Sequence, residues 1–257
     1  MNTVDNTKID VVVATKNELP NWWIKKNLSR VPTNNLIIER SKPLAMARMR
    51  AIQKVTTEWF VFIDDDALLG ENWWPMIKKH MAKDVGAIAG RSYNAYDNPC
   101  INKALNDLKK SQGTIKLRRG ERGTTICTLL RRDVVKDWKP SRKDLSAFED
   151  YELTQHVLKK GYSWLFVDSD AWHLRKTFLP FPRNIKWNMA GLLKLQLSPR
   201  RFLLENVYYT LPELLRGIFF KQKAEHNIRL SLYRCYCNFW QILFLLYEGF
   251  KQPFLKE

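Results

Sequence analysis

The stretch Trp59-Phe60-Val61-Phe62-Ile63-Asp64-Asp65-Asp66 runs five apolar residues directly into three carboxylates. An apolar run of that length, all aromatic or β-branched, predicts a strand buried on both faces, and the abrupt switch to aspartate marks its end. Upstream, IDVVVAT (Ile9 to Thr15) predicts another buried strand and NLIIE (Asn35 to Glu39) a short one, with room for a helix between them. PLAMARMRAIQKV (Pro43 to Val55) opens on a proline and repeats apolar residues at Leu44, Ala47, Ala51 and Val55, the spacing of a helix. Strand, helix, strand, helix, strand predicts a parallel α/β sheet with helices on both faces, in which ligands bind beyond the carboxyl ends of the strands. The acidic triplet therefore stands where a ligand would bind.

Adjacent carboxylates repel one another, and a divalent cation lying between them and an anionic ligand relieves that repulsion. Mg²⁺ and Mn²⁺ favour carboxylate and phosphate oxygens and commonly combine one or two carboxylates with the phosphates of a substrate. The competing reading is a solvated turn that caps the segment ENWWPMIKKH (Glu71 to His80). A second constellation adds weight to the ligand reading. In SAFEDYELTQHVLKKGYSWLFVDSDAWH (Ser146 to His173), Ser146 precedes Glu149 at the spacing of a capping box. Apolar residues then recur at Leu153, Val157 and Leu158 until Gly161 ends the helix. Glu149 and Asp150 thus fall at a helix start, where the dipole favours their ionised form, and a carboxylate held there can take a proton from an attacking hydroxyl. YSWLFV (Tyr162 to Val167) predicts one more strand, with His173 a few residues beyond it.

The order VVVATKN, ARMRAI, WFVFIDDD, RRDVV, FEDYEL, KKGYSWLFV and WH, between about Asp10 and Lys176, resembles the family 2 glycosyltransferases, inverting enzymes of the GT-A fold. The ordered spacing of several motifs is more specific than any one of them. The resemblance implies a Rossmann-like α/β catalytic domain, a nucleoside-diphosphate sugar donor of the UDP or GDP type, Mn²⁺ or Mg²⁺ as cofactor, and single-displacement chemistry. Carried over by position, the triplet matches the family's DxD motif: Asp66 would bind the metal, with Asp64 nearer the nucleoside and Asp65 part of the same donor site. FEDYEL matches the acceptor-site motif, which makes Asp150 the general base with Glu149 beside it. His173 would be a further metal ligand. Thr15, Asn17, Glu18 and Glu39 fall where the family holds the nucleoside. Arg48 matches the basic residue of the family's ARN segment, although Met49 stands where asparagine is usual. Arg175 and Lys176 would close over the diphosphate as cationic clamps.

The chain is 257 residues long and 45% hydrophobic, enough for one large domain or a domain with an appendage. Its net charge of +17 favours anionic partners. From Arg175 to Glu257 there are 14 basic and 5 acidic residues, so much of that excess lies in the last third. There, Trp, Phe, Leu and Tyr alternate with Lys and Arg, and Arg229, Arg234, Asn238 and Gln241 interrupt the best apolar run before it could span a bilayer. The resemblance implies a GT-A domain over 1–182, and the pattern predicts a helical extension over 183–257 that lies on an anionic membrane surface. Packing on the protein itself is the alternative for those helices. A membrane-seeking transferase points to a lipid-linked acceptor, either a polyprenyl phosphate or a lipid-linked glycan. The N-terminal sequence MNTVDNTKID has neither the charge nor the apolar core of a signal peptide, and Cys100, Cys127, Cys235 and Cys237 form no disulfide or zinc-finger pattern. The expected location is the cytoplasmic face of a membrane. Nucleic acid ranks far lower as a partner, because no nucleic-acid motif accompanies the basic, aromatic surface. A nucleotidyltransferase would want a glycine-rich loop after the first strand, and ATKNELPNWW contains no glycine. A non-catalytic lipid-binding scaffold would tolerate loss of Asp66 and Asp150.

Overall fold

The computed structural model describes residues 8–95, 113–174, 182–195, 197 and 228–251. The chain divides into two compact units. Met1–Ala95, Gln112–Leu145 and Glu149–Leu174 make the first; Tyr96–Ser111, Ser146–Phe148 and Arg175–Glu257 make the second.

The first unit is built on one mixed sheet. β1 (Ile9–Ala14) pairs in parallel with β2 (Thr33–Glu39) and with β3 (Trp59–Ile63), as the opening motifs predict. α1 (Asn21–Leu28) and α2 (Leu44–Lys54) connect them. Beyond β3 the direction changes. β7 (Cys127–Arg131), followed by the short α4 (Arg132–Val135), runs antiparallel between β3 and β5 (Val85–Asn94), and β8 (Ser163–His173) runs parallel to β5. The short β4 (Ala67–Leu69) closes the far edge antiparallel to β8, and β6 (Ile115–Lys116) adds to β8 elsewhere. The parallel sheet expected from the first three strands therefore continues as a mixed one, because apolar periodicity reports burial of a strand and not its direction.

Burial explains the apolar runs. Every residue of β3 is buried, and Val11, Val61, Ile63, Ile88 and Leu129 share one core with Trp73, near the start of α3 (Trp73–Lys78). Asp10 is the polar exception inside β1. It is fully buried and accepts hydrogen bonds from Asn34 and Asn35 side chains and from the backbone N–H groups of Thr56 and Thr57. Burial alone would raise its pKa, but these donors outweigh that and lower it. Asp10 thus ties β1 to the turn that launches β3. At the other edge Asn27 of α1 acts as a substitute strand. Its amide donates to the Ala67 carbonyl at 3.2 Å and accepts from the Leu69 N–H at 2.9 Å, while Trp23 Nε1 also donates to Ala67. Edge strand β4 is thereby covered and held at the end of β3.

β8 is longer than the sequence predicts. It continues past Val167 to His173, with Val167, Ser169, Ala171 and His173 buried in alternation. The segment DSD keeps the period of two, with an irregularity opposite Gly90 and Ser92 of β5. His173 therefore stands in a strand and not beyond one.

In the second unit, α6 (Pro182–Lys194) packs against α7 (Ile228–Lys251), and Lys186 Nζ lies 4.9 Å from the Tyr247 ring centre. No helix among the described residues is long and apolar enough to cross a membrane. Trp240 and Phe244 stack within α7, while Leu232, Phe239, Leu243 and Leu246 are exposed along it. Cys235 and Cys237 are half-buried free thiols.

Candidate active site

The three aspartates after β3 do not face one another as a bare cluster; each has a different partner. Asp64 Oδ1 accepts from Arg48 Nη2 at 3.0 Å. Asp65 Oδ2 accepts from the Thr15 hydroxyl and, at 2.7 Å, from the Asn17 side-chain amide. Asp66 Oδ2 lies 2.9 Å from His173 Nε2. The turn is fixed by backbone bonds from Asp64 N–H to the Ile126 carbonyl and from Leu174 N–H to the Asp66 carbonyl. Parallel pairing of β1 with β3 brings Thr15 to Asp65, and pairing of β4 with β8 places His173 opposite Ala67, next to Asp66.

Arg48 joins the triplet to the second motif. It is buried on α2, its guanidinium carbon 5.7 Å from the Phe62 ring centre, and it spans from Asp64 to Glu149. Burial works against its charge, but the carboxylates of Glu149, Asp64 and Asp150 outweigh burial and raise its pKa. Glu149 opens α5 (Glu149–Lys159) and is 4% exposed. Burial raises its carboxyl to about 7, with Arg48 opposing and Asp150 adding to the shift. Asp64 is also raised, first by burial and against the pull of Arg48. Asp150 is buried beside Glu149, and its Oδ1 accepts from Arg122 Nε at 2.8 Å and from the Tyr151 N–H at 2.9 Å. Phe148, the residue before α5, takes the left-handed φ of +64°.

The structure thus gathers Thr15, Asn17, Arg48, Asp64, Asp65, Asp66, Glu149, Asp150 and His173 into one linked set. Asp65, rather than Asp64, reaches back to the end of β1. Glu39 is buried at the end of β2, where Lys54 and then Ser41 bond its carboxylate and hold its pKa near 2, against burial. Glu18 is exposed, and Arg175 and Lys176 lie outside the described residues. Sequence reasoning misses Arg122. Its signal is the basic loop LRRGER, which no motif spacing links to Asp150.

Among the described residues, no group of three or more His, Cys, Asp or Glu is assembled to hold a metal ion. Asp66 and His173 provide two donors, the carboxylate half-exposed and the imidazole buried. That pair fits a cation completed by phosphate oxygens and water, and does not fit one held by protein alone.

Residues 24–138 match the family described as Glycosyl transferase family 2. The match includes the triplet and ends before Glu149, Asp150 and His173. No curated protein matches the chain. Among solved structures, A197 from STIV aligns at 15% identity over 66% of this chain and 86% of its own, with a TM-score of 0.46. Glucosyl-3-phosphoglycerate synthase from Mycobacterium tuberculosis, solved with Mn²⁺, uridine diphosphate and phosphoglyceric acid, aligns at 12% identity over 74% of this chain and 77% of its own, with a TM-score of 0.47. The segment 24–138, which carries the strand-end aspartates on a mixed α/β sheet, is thus similar to the family 2 glycosyltransferases.

Proposed function

We propose that the chain transfers a sugar, with inversion, from a nucleoside-diphosphate sugar to an acceptor presented at an anionic membrane surface, a polyprenyl phosphate or a lipid-linked glycan. The observation that carries this reading is the division of the triplet: Asp65 is tied to the end of β1, Asp66 to His173, and Asp64 through Arg48 to Glu149, the neighbour of Asp150. Donor-side and acceptor-side groups are thereby joined in one linked set. In a single displacement the acceptor oxygen forms the new bond to the anomeric carbon as the bond to the diphosphate breaks. When a hydroxyl attacks, its proton passes to the Asp150 carboxylate. Thr15, Asn17 and Asp65 orient the nucleoside, and Arg48 holds Asp64 and Glu149 in register. Asp66 and His173 would hold Mn²⁺ or Mg²⁺, which when bound supplies Lewis-acid stabilisation to the departing diphosphate.

The membrane part of the reading is supported by α6 and α7, which carry Arg183, Lys186, Lys194, Arg229, Arg234 and Lys251 against a single acid, Glu248, together with exposed Trp187, Phe239 and Leu246. Its place would be the cytoplasmic face of the membrane.

The test is a screen of UDP- and GDP-sugars with Mn²⁺ or Mg²⁺, scored by donor hydrolysis and thermal shift, followed by calorimetry of the productive nucleoside diphosphate on Asp66→Ala. We expect the variant to fold and to lose metal-dependent nucleotide binding. Unchanged metal-dependent affinity in the folded variant would remove Asp66 from the metal role, and absence of turnover or binding across the screen would remove the transferase reading.

A further inference from the structure

The loop between β6 and β7 brings Arg122 to the Asp150 carboxylate. From Ile115 to Thr125 the chain carries Lys116, Arg118, Arg119 and Arg122 against a single acid, Glu121. The loop is pinned to α5 and β8. Gly120 N–H donates to Gln155 Oε1 at 2.9 Å, Gln155 Nε2 donates to the Glu121 carbonyl at 2.7 Å, and Gly123 N–H donates to Thr154 Oγ1 at 3.0 Å. The Leu117 N–H donates to the Trp164 carbonyl at 2.9 Å. Gly123 is required by contact, since a Cβ there would meet Trp164 at 2.5 Å and Thr154 Oγ1 at 2.6 Å. Glu121 turns its carboxylate back onto the Arg118 N–H at 2.7 Å. Nothing in this arrangement buries the arginine side chains: Arg118, Arg119 and Arg122 are all exposed. Yet it delivers Arg122 onto the Asp150 carboxylate, with 38% of the arginine side chain still open to solvent.

A guanidinium resting on the oxygen that should receive a proton is an obstacle unless something draws it aside. Its planar fork carries five N–H donors and matches phosphate oxygens in a bidentate way, so an incoming phosphate can share it or take it over. We propose that Arg122, supported by Arg118 and Arg119, is the anion-recognition element of the acceptor site: the acceptor carries a phosphate, which either supplies the reacting oxygen already without a proton or sits beside a reacting hydroxyl whose proton passes to Asp150 once Arg122 is drawn away. The inference rests on the assignment of Asp150 as base. It names the acceptor's chemistry, a phosphate, whether that phosphate belongs to a lipid or to a soluble molecule.

The experiment is a calorimetric titration of the full chain, without metal or nucleotide, with glycerol 3-phosphate, with a short prenyl monophosphate and with glycerol. The wild type should bind a phosphorylated probe and not glycerol, and the tighter of the two phosphates identifies the source. Arg122→Gln should weaken that binding about tenfold, and the double change Arg118→Gln with Arg119→Gln should weaken it further than Arg142→Gln, an exposed control paired with Asp144. Asp150→Asn should bind the phosphate more tightly than wild type, because the competing carboxylate charge is gone. If Arg122→Gln unfolds, Arg122→Lys keeps the charge without the fork and should give an intermediate affinity. Unchanged phosphate affinity in the folded Arg122 and Arg118/Arg119 variants overturns the inference. So does loss of Mn²⁺–nucleoside diphosphate binding in Arg122→Gln, which would assign the loop to the donor. No nucleotide sugar enters the phosphate titration. Its failure beside normal sugar transfer sinks the acceptor inference alone, and failed transfer beside an intact titration sinks the transferase reading alone.

Discussion

Glu149 and Asp150 are neighbours in sequence and differ in environment. Glu149 is held against Arg48 in a buried setting that raises its carboxyl to about 7, from an ordinary 4.5. A carboxyl raised in the folded state contributes stability that is fully present below about 4.5 and is lost as pH rises through about 7. Glu149→Gln is neutral at every pH and should erase this component. The melting temperature of the wild type should therefore fall relative to the variant between pH 5 and pH 8, by roughly 5 to 10 °C, since the component is on the order of 3 kcal/mol. Parallel melting curves for the two proteins across that range would overturn the assignment. Asp150 meets the acceptor in the proposed reaction. Asp150→Asn keeps the shape and cannot take a proton, so turnover should drop by roughly 10² or more with donor affinity retained. Near-normal turnover would move the base to Glu149. Both acids and the triplet are legible in the sequence because charges that interrupt apolar runs are conspicuous. Their partners are not: Thr15 lies fifty positions from Asp65, and Arg122 twenty-eight from Asp150. Only the register of strands and the path of a loop bring such pairs together.

Elements that read clearly are those whose burial is uniform. β1 and β3 announce themselves as apolar runs, and α2 by its buried Ala47 and Ala51. β4 has three residues, too few for any period, and exists because Asn27 supplies the hydrogen bonds that a neighbouring strand would. Asn27→Ala should leave the buried Leu69 N–H without its partner while Ala67 keeps the Trp23 indole, and should cost about 1–3 kcal/mol in a urea denaturation experiment. Asn27→Asp retains an acceptor for Leu69 but faces the Ala67 carbonyl with a second acceptor, so it should not restore full stability. Wild-type stability in Asn27→Ala would show that β4 needs no substitute strand. The far half of β8 is the opposite case. Its polar residues Asp168 and Asp170 alternate with buried positions, so the apolar run stops at Val167 where the strand does not. The consequence is functional, since the extension is what seats His173 beside Asp66.

At the scale of the whole molecule, the charge and the exposed apolar residues of the second unit make one further prediction. Trp240 and Phe244, four apart on α7, stack with ring centres 5.5 Å apart. The most exposed stripe on α7 is a different one, Leu232, Phe239, Leu243 and Leu246, at spacings of seven, four and three residues. Periodicity locates a face, but which face remains exposed depends on what covers the others, and that is a tertiary matter. If this stripe enters the headgroup region, the full chain should float with anionic vesicles, and salt should weaken the binding without abolishing it. Attraction between surface charges is screened within roughly 8 to 10 Å at ordinary ionic strength, whereas buried apolar side chains are not. Replacing Phe239 and Leu246 with Ser should therefore reduce binding most at high salt. Replacing Lys186 and Lys194 with Gln should reduce it most at low salt, because their contribution is electrostatic. Serine at Trp240 and Phe244 disturbs a stacked pair and should lower thermal stability more than vesicle affinity. Absence of vesicle binding by the full chain at low salt, or equal loss from both sets of substitutions at every salt concentration, would make α7 a packing or oligomerisation element instead.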